Sequence, residues 1–261
     1  MSAHNGIGIS FNNHVALVEL QRPPHNFFDL DFITGVADAY EELDRQTSCR
    51  AIVLCAQGKN FCAGANFGAS DAGMAEDSSR GQIANTLYRQ AVRIFRCSKP
   101  VVAAVQGAAI GGGLGLAVSA DFRVACPEAR FSANFTKLGF HPGFGLTVTL
   151  PELIGKQRAA LMCLTSRRIT GEQALEWGLA DVCVALAEVR AAALDLANEL
   201  ASCAPLAVVS TRATLRLGLA DRVARQTDHE LVEQNWLRGT ADWAEGIKAS
   251  VARREPNFTG S

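Results

Sequence analysis

An α/β core followed by a helical C-terminal region is the fold class this sequence predicts, and three observations predict it. Short apolar runs such as Ala51–Ala56 and Val101–Val105 have the length and composition of buried strands. They alternate with longer stretches whose apolar residues recur at helical spacing, and from Thr149 onward helical patterns dominate. The chain of 261 residues, 48% hydrophobic and 20% charged, is long enough to bury one sizeable core and carry an appendage.

Taken in order, residues 14–20 alternate apolar and polar side chains and are stopped by Arg22-Pro23-Pro24, which reads as a strand. Residues 29–43 read as a helix, with Asp29 as its cap and Phe32, Val36, Ala39 and Leu43 on its apolar face. Ala51–Ala56 is a buried strand that runs into the loop at 57–66. Residues 67–81 are rich in Gly, Ala, Ser and Asp without periodicity and predict a mobile loop. A helix follows over 83–95, with Ile83, Leu87, Val92 and Phe95 apolar, and Ser98-Lys99-Pro100 leads into the strand Val101–Val105.

After the glycines come a short helix over 114–119, a strand at Phe122–Ala125, an extended piece near Phe131 and a loop over 138–145. Pro151 is expected to start a helix, Thr170 to cap another at Gly171–Trp177, and residues 188–201 to form a third. Residues 205–252 carry long amphipathic patterns through Leu215, Leu219, Val223, Leu231 and Trp236. The repeated strand-then-turn units fit a coiled sheet, although no fixed period is visible.

Composition narrows the partners. A formal charge of −1, from 25 basic and 26 acidic residues, provides no basic field for nucleic acid, so a small molecule is the expected partner. The N-terminus lacks the charged start and apolar core of a secretory signal. No stretch holds the roughly 18 uninterrupted apolar residues of a membrane span, since the longest candidate is broken by Gln106 and glycines. The eight cysteines form no C-x-x-C pair and no cluster at zinc spacing, which fits reduced thiols in a cytoplasmic protein. Cys62 reads as a small packing residue.

The stretch with the strongest chemical signal is Gln106-Gly107-Ala108-Ala109-Ile110-Gly111-Gly112-Gly113-Leu114-Gly115, directly after a strand. Consecutive glycines let a backbone leave a strand, turn tightly and present N–H groups at the start of a helix. A phosphate-binding P-loop would need Lys and Ser/Thr after the last glycine, where Gly113 and Leu114 stand. A dinucleotide fingerprint would need Gly or Ala at Val118, and the serine-hydrolase elbow G-x-S-x-G occurs nowhere. A second loop, Phe61-Cys62-Ala63-Gly64-Ala65-Asn66, also follows a buried strand and ends in small residues. An N–H from Ala65 and one from Gly112 converging on one oxygen would form an oxyanion hole, each donor contributing on the order of 3 kcal/mol to a developing negative charge in a dry site.

These two loops, followed by Ala120-Asp121-Phe122-Arg123-Val124-Ala125, resemble the crotonase, or enoyl-CoA hydratase/isomerase, superfamily. The likeness extends through Leu20-Gln21-Arg22-Pro23, Leu150-Pro151-Glu152-Leu153-Ile154-Gly155 and Ala174-Leu175-Glu176-Trp177-Gly178-Leu179-Ala180-Asp181, and so covers most of the chain. It implies a spiral of ββα turns over residues 1–200 that holds an acyl-CoA site, a C-terminal helical oligomerisation region over 201–261, and assembly as a homotrimer or dimer of trimers. It implies lyase or isomerase chemistry of fatty-acid metabolism on a coenzyme A thioester as substrate, with no permanently bound cofactor. The thioester oxygen would rest on the N–H groups of Ala65 and Gly112. Ala63, Ala65, Asn66, Phe67, Gly68 and Gly112 would line the CoA and acyl groups, with Arg22 and His25 as further candidates for phosphate or pantetheine contact.

Where the resembling hydratases carry two glutamates, this chain has Gly115 and Phe135, and where some isomerases and dehalogenases carry an aspartate it has Gly143. Adding water across a double bond needs a group that accepts and returns a proton, which glycine and phenylalanine cannot do. His141 is the nearest polar candidate for that acid/base role, with an ordinary pKa near ~6.5. Asp71, Glu76 and Asp77 are acids in the predicted loop, Asp121 matches a position that is structural in the family, and Asn134 can hold a water without acting as a base. Isomerisation, decarboxylation, C–C cleavage and thioester hydrolysis all stay open, as does the alternative of a catalytically idle relative that binds acyl-CoA.

Overall fold

The computed structural model describes residues 6–27, 29–66 and 77–261, with 77–85 as backbone only. Strand β1 (Ile7–Asn12) pairs antiparallel with β2 (Val15–Leu20) and forms the edge of the main sheet. Helix α1 (Leu30–Arg45) starts where the sequence places it, because the Asp29 carboxylate accepts a hydrogen bond from the Phe32 N–H at 2.9 Å. It buries Phe32, Val36, Ala39 and Leu43 together with Ile33 and Tyr40. Strand β3 (Ala51–Ala56) is buried at every position and pairs parallel with β2, as expected of a run without alternation.

From β3 onward the chain repeats a motif: one strand for the main sheet, a short extended piece for a second sheet, then a helix. After β3 the bridge residue Cys62 serves as the second piece, and helix α2 (Asp77–Phe95) follows. Strand β4 (Val101–Val105), strand β5 (Ala108–Ile110) and helix α3 (Gly112–Ser119) make the next turn. Strand β6 (Phe122–Ala125), strand β7 (Arg130–Ser132) and helix α4 (Leu146–Thr165) make another. Strand β8 (Ile169–Thr170), helix α5 (Gly171–Trp177) and strand β9 (Val182–Cys183) close the series. The main sheet has the order β1-β2-β3-β4-β6-β9 and the smaller one β5-β7-β8, which is the expected spiral of ββα turns. Helix α6 (Val189–Ser202) covers β2, β3, β4 and β6, and helices α7 (Pro205–Leu215), α8 (Leu219–Leu237) and α9 (Ala241–Ala252) form the helical C-terminal region. No single helix among the described residues is long and apolar enough to cross a membrane.

Two expectations are corrected and four strands are added. Residues 77–81 belong to α2, so the helix begins before the predicted 83, while 67–76 lie outside the described residues. The strands β1, β5, β8 and β9 carry no strong local pattern; β5 and β8 exist through their pairing with β7. Pro151 does not start α4 but lies inside it: the helix begins at Leu146 after Gly145, and Gly155 (φ +78°) breaks it further on.

The reason for that early start is remote. Glu230, on α8 and fully buried, accepts hydrogen bonds from the Gly145 N–H at 2.8 Å, the Thr147 N–H at 3.2 Å and the Thr147 hydroxyl at 2.6 Å. It satisfies the free N–H groups of α4 from another helix. Burial nevertheless outweighs these bonds and pushes its carboxyl from 4.5 up to about 7. The folded state therefore holds this proton more tightly than the unfolded chain does. The resulting stability is fully present below pH 4.5 and is lost as pH rises through about 7. Its size is on the order of 3 kcal/mol, at about 1.4 kcal/mol per pKa unit. Chemical denaturation across that window should record the fall, and Glu230→Gln should flatten it.

The Ala120–Ala125 motif is explained by a buried charge network. Arg123 is 1% exposed and donates to the carbonyls of Leu179, Ala120 and Asp121 and to the Asp181 carboxylate. Asp121 accepts from the Val101 N–H, Arg212 and Arg216, which ties α7 to the sheet. Its role is structural, as the resemblance implied.

Candidate active site

Two hydrogen bonds join the loop after β3 to β5. The Cys62 N–H donates to the Ala108 carbonyl at 2.9 Å and the Ile110 N–H to the Cys62 carbonyl at 3.1 Å, forming a parallel bridge in which Cys62 faces Ala109. Ala65 and Gly112 each stand three residues beyond that bridged pair. Gly112 is the first residue of α3, so its N–H has no partner within the helix. The Ala65 N–H has no backbone partner among the described residues. Both residues line one cavity of about 1220 Å³, along with Ala63, Gly64 and Asn66.

Glycine is required on both sides of this junction. Gly64 takes φ +80°, and a Cβ there would fall 2.7 Å from the Ile110 carbonyl oxygen. At Gly113 a Cβ would fall 2.1 Å from the Cys62 carbonyl oxygen. The side chain of Cys62 is fully buried and its thiol is pushed up to about 12 by burial, so it packs the junction and stays a neutral thiol at pH 7.

The positions of the absent carboxylates are filled. A Cβ on Gly115 would lie 2.5 Å from the Phe144 ring, and one on Gly143 would lie 2.0 Å from the Tyr88 hydroxyl and 2.7 Å from the Gln234 side-chain nitrogen. Phe135 and Phe140 meet edge to face, with ring centroids 5.3 Å apart, and both line the cavity. Asn134 lines it beside Gly111, the residue before α3. Glu128 is the one carboxylate among the described lining residues, whereas Lys59, Arg130, Arg168, Arg190, Arg238 and Arg253 contribute cationic groups.

Other expected residues fall elsewhere. His141 lines a second cavity of about 560 Å³, with its Nδ1 at 2.7 Å from the Pro142 carbonyl oxygen and its ring edge-on to His229, so the structure does not bring its imidazole to Ala65 and Gly112. Arg22 is engaged by the Asp29 carboxylate at 2.7 Å and lies over the Phe32 ring, outside the cavity lining. His25 is exposed and hydrogen-bonded to the side chain of Asn60, which does line the cavity. Phe67, Gly68, Asp71 and Glu76 lie outside the described residues, as does the side chain of Asp77.

The part of the lining supplied by α2 and α8 is not readable from the sequence. Tyr88 on α2 and Gln234 and Arg238 on α8 line the cavity, so it is not confined to residues 1–200. Gln234 and Arg238 are spaced four apart on a helix, a pattern that puts them on one face, but nothing local says which cavity that face meets.

Comparison with known proteins agrees with this architecture. The model of the enoyl-CoA hydratase/isomerase family matches residues 10–261. A probable enoyl-CoA hydratase of Mycobacterium tuberculosis is 34% identical over 235 residues, which is 90% of each chain. The 1,2-epoxyphenylacetyl-CoA isomerase of Escherichia coli is 31% identical over 256 residues, covering 94% of this chain and 95% of that one. The crystal structure of an enoyl-CoA hydratase/isomerase from Pseudoalteromonas atlantica superposes with a TM-score of 0.86 at 28% identity, over 98% of this chain and 100% of the other.

Proposed function

This chain belongs to the enoyl-CoA hydratase/isomerase family, and from that membership we propose that it binds an acyl-CoA thioester with the carbonyl oxygen between the N–H groups of Ala65 and Gly112. Negative charge that develops on this oxygen, as an enolate or a tetrahedral oxyanion, is then stabilised by two fixed dipoles in a mostly apolar cavity. The observation that carries this reading is the Cys62–Ala109 bridge, since Ala65 and Gly112 each follow it by three residues and both line the same cavity. Lys59, Arg130, Arg168, Arg190 and Arg253 along the cavity suit the phosphates of coenzyme A. Unpaired cysteines are compatible with a cytoplasmic setting. The exposed Leu206, Leu215 and Leu217 of the helical C-terminal region suit self-association as a trimer or dimer of trimers.

Conventional hydration is not the reaction we assign, because Gly115 and Phe135 stand where the resembling hydratases carry their two glutamates. Hydration of a short 2-enoyl-CoA, followed by loss of the enoyl absorbance, is expected to be weak or absent. A turnover number of about 10 s⁻¹ or more, ordinary for an enzyme, would overturn that assignment. Isomerisation, decarboxylation, C–C cleavage and thioester hydrolysis are the reactions to assay across a panel of acyl-CoAs. That Glu128 is the one carboxylate among the described lining residues also favours one alternative, an idle acyl-CoA-binding relative. Tight binding with no turnover on any member of the panel would select it.

A further inference from the structure

The part of the cavity lining supplied by α2 and α8 carries a hydrogen-bond chain whose direction is fixed. The Gln234 side chain is fully buried, and its nitrogen donates to the His141 carbonyl at 2.8 Å. A backbone carbonyl can only accept, so the amide oxygen of Gln234 points the other way, toward Arg238 and Tyr88. Arg238 can only donate, and its Nη2 lies 2.9 Å from that oxygen. The Tyr88 hydroxyl, 2.9 Å from the same oxygen, must therefore be a donor as well. Its single proton is committed to Gln234, and among the described residues no donor is directed at its oxygen, which leaves lone pairs to accept a hydrogen bond.

That oxygen sits where a side chain at position 143 would begin, 2.0 Å from the Cβ that Gly143 lacks. Tyr88, Gly143 and Gln234 all line the cavity. We propose that Tyr88 is a specificity-determining residue of the acyl arm, whose phenolic oxygen accepts a hydrogen bond from a hydroxyl group on the acyl chain. The proposal rests on the acyl-CoA reading above and adds the class of acyl group: one bearing a hydroxyl, in preference to a plain hydrocarbon or an oxo group. Gln234 is the positioning residue, since it dictates which way the phenol's proton points.

The chemistry excludes a base role for Tyr88. Burial pushes its phenol well above the ordinary value, with Glu230 adding to the rise and Arg238 opposing it, so the group stays neutral. A neutral phenol accepts a hydrogen bond but does not take up a proton near neutral pH. An acyl methylene at this place leaves the oxygen unpaired, and an oxo group sets lone pairs against lone pairs.

Calorimetric titration of the full chain with butyryl-CoA, acetoacetyl-CoA and the three butyryl-CoAs that carry a hydroxyl at the second, third or fourth carbon tests this. At least one hydroxy ester is expected to bind about tenfold tighter than butyryl-CoA, with acetoacetyl-CoA the weakest. In Tyr88→Phe the ratio of hydroxy ester to butyryl-CoA should fall to about one. Butyryl-CoA bound as tightly as every hydroxy ester, or acetoacetyl-CoA bound tightest, overturns the proposal while leaving the acyl-CoA reading intact. A ratio that survives in Tyr88→Phe also overturns it. Failure of all five thioesters to bind removes both together. The wild-type ratios decide the matter independently of how well the variant folds.

Discussion

Gly113→Ala is expected to lower turnover of the best acyl-CoA substrate by about 10²-fold or more and to reduce thermal stability as well. The added Cβ would fall 2.1 Å from the Cys62 carbonyl oxygen and 2.8 Å from its carbon, against an ordinary contact of 3.4 Å or more. Neither atom belongs to a flexible side chain, so the backbones of the two loops must separate by about 1 Å, and a misplacement of that size in a preorganised site costs about 10²-fold. The same carbonyl accepts the Ile110 N–H at 3.1 Å, so the separation also breaks the Cys62–Ala109 bridge, three residues before both Ala65 and Gly112. Overpacking of this kind typically costs about 1–3 kcal/mol of stability. Steady-state kinetics and a melting curve check both effects. Full turnover in this variant would mean that the junction does not set the donor geometry.

Ala65→Pro should act on the chemistry with far less effect on the fold. Proline has no N–H, so the substitution deletes one donor outright. Ala65 is exposed, makes no backbone ladder bond, and does not share the positive φ of Gly64 before it. Removal of one oxyanion donor is expected to lower kcat by about 10²–10³-fold, with a smaller change in KM, because the donor gains strength only as charge develops on the oxygen. The split between kcat and KM is the informative readout. A rise in KM alone would assign Ala65 to substrate binding and remove it from charge stabilisation.

What was legible in the sequence is what local chemistry encodes. Ala51–Ala56 and Phe122–Ala125 form strands at the predicted bounds, since a short apolar run between turn signals has few alternatives. Thr170 caps α5 with the expected geometry because its reciprocal partner, Gln173, lies only three residues on. The pairing of the two small-residue loops was equally readable, as each follows a buried strand. What stayed hidden depends on contacts remote in the chain. Glu230 caps α4 from 85 residues beyond Gly145, so no local pattern predicts a start before Pro151.

The α2 and α8 side of the cavity stayed hidden for the same reason. Tyr88 looks like any helical residue beside Leu87 until α8 packs on α2 and brings Gln234 to it across 146 residues. His141 is the nearest polar candidate in the stretch where the resemblance puts catalytic groups. In the fold its backbone carbonyl, through Gln234, is the part tied to the cavity wall, while its imidazole faces the second cavity.

The central claim is that two backbone N–H groups polarise a thioester carbonyl. Infrared difference spectroscopy of the protein with butyryl-CoA carrying a ¹³C-labelled carbonyl measures this polarisation on the bound ligand and needs no turnover. A labelled band displaced to lower frequency than in water, and returned toward its aqueous position in Ala65→Pro, is the expected result. A bound thioester whose carbonyl band keeps its aqueous frequency, or shifts equally in the wild type and in Ala65→Pro, would contradict the assignment of Ala65 and Gly112 as an oxyanion hole.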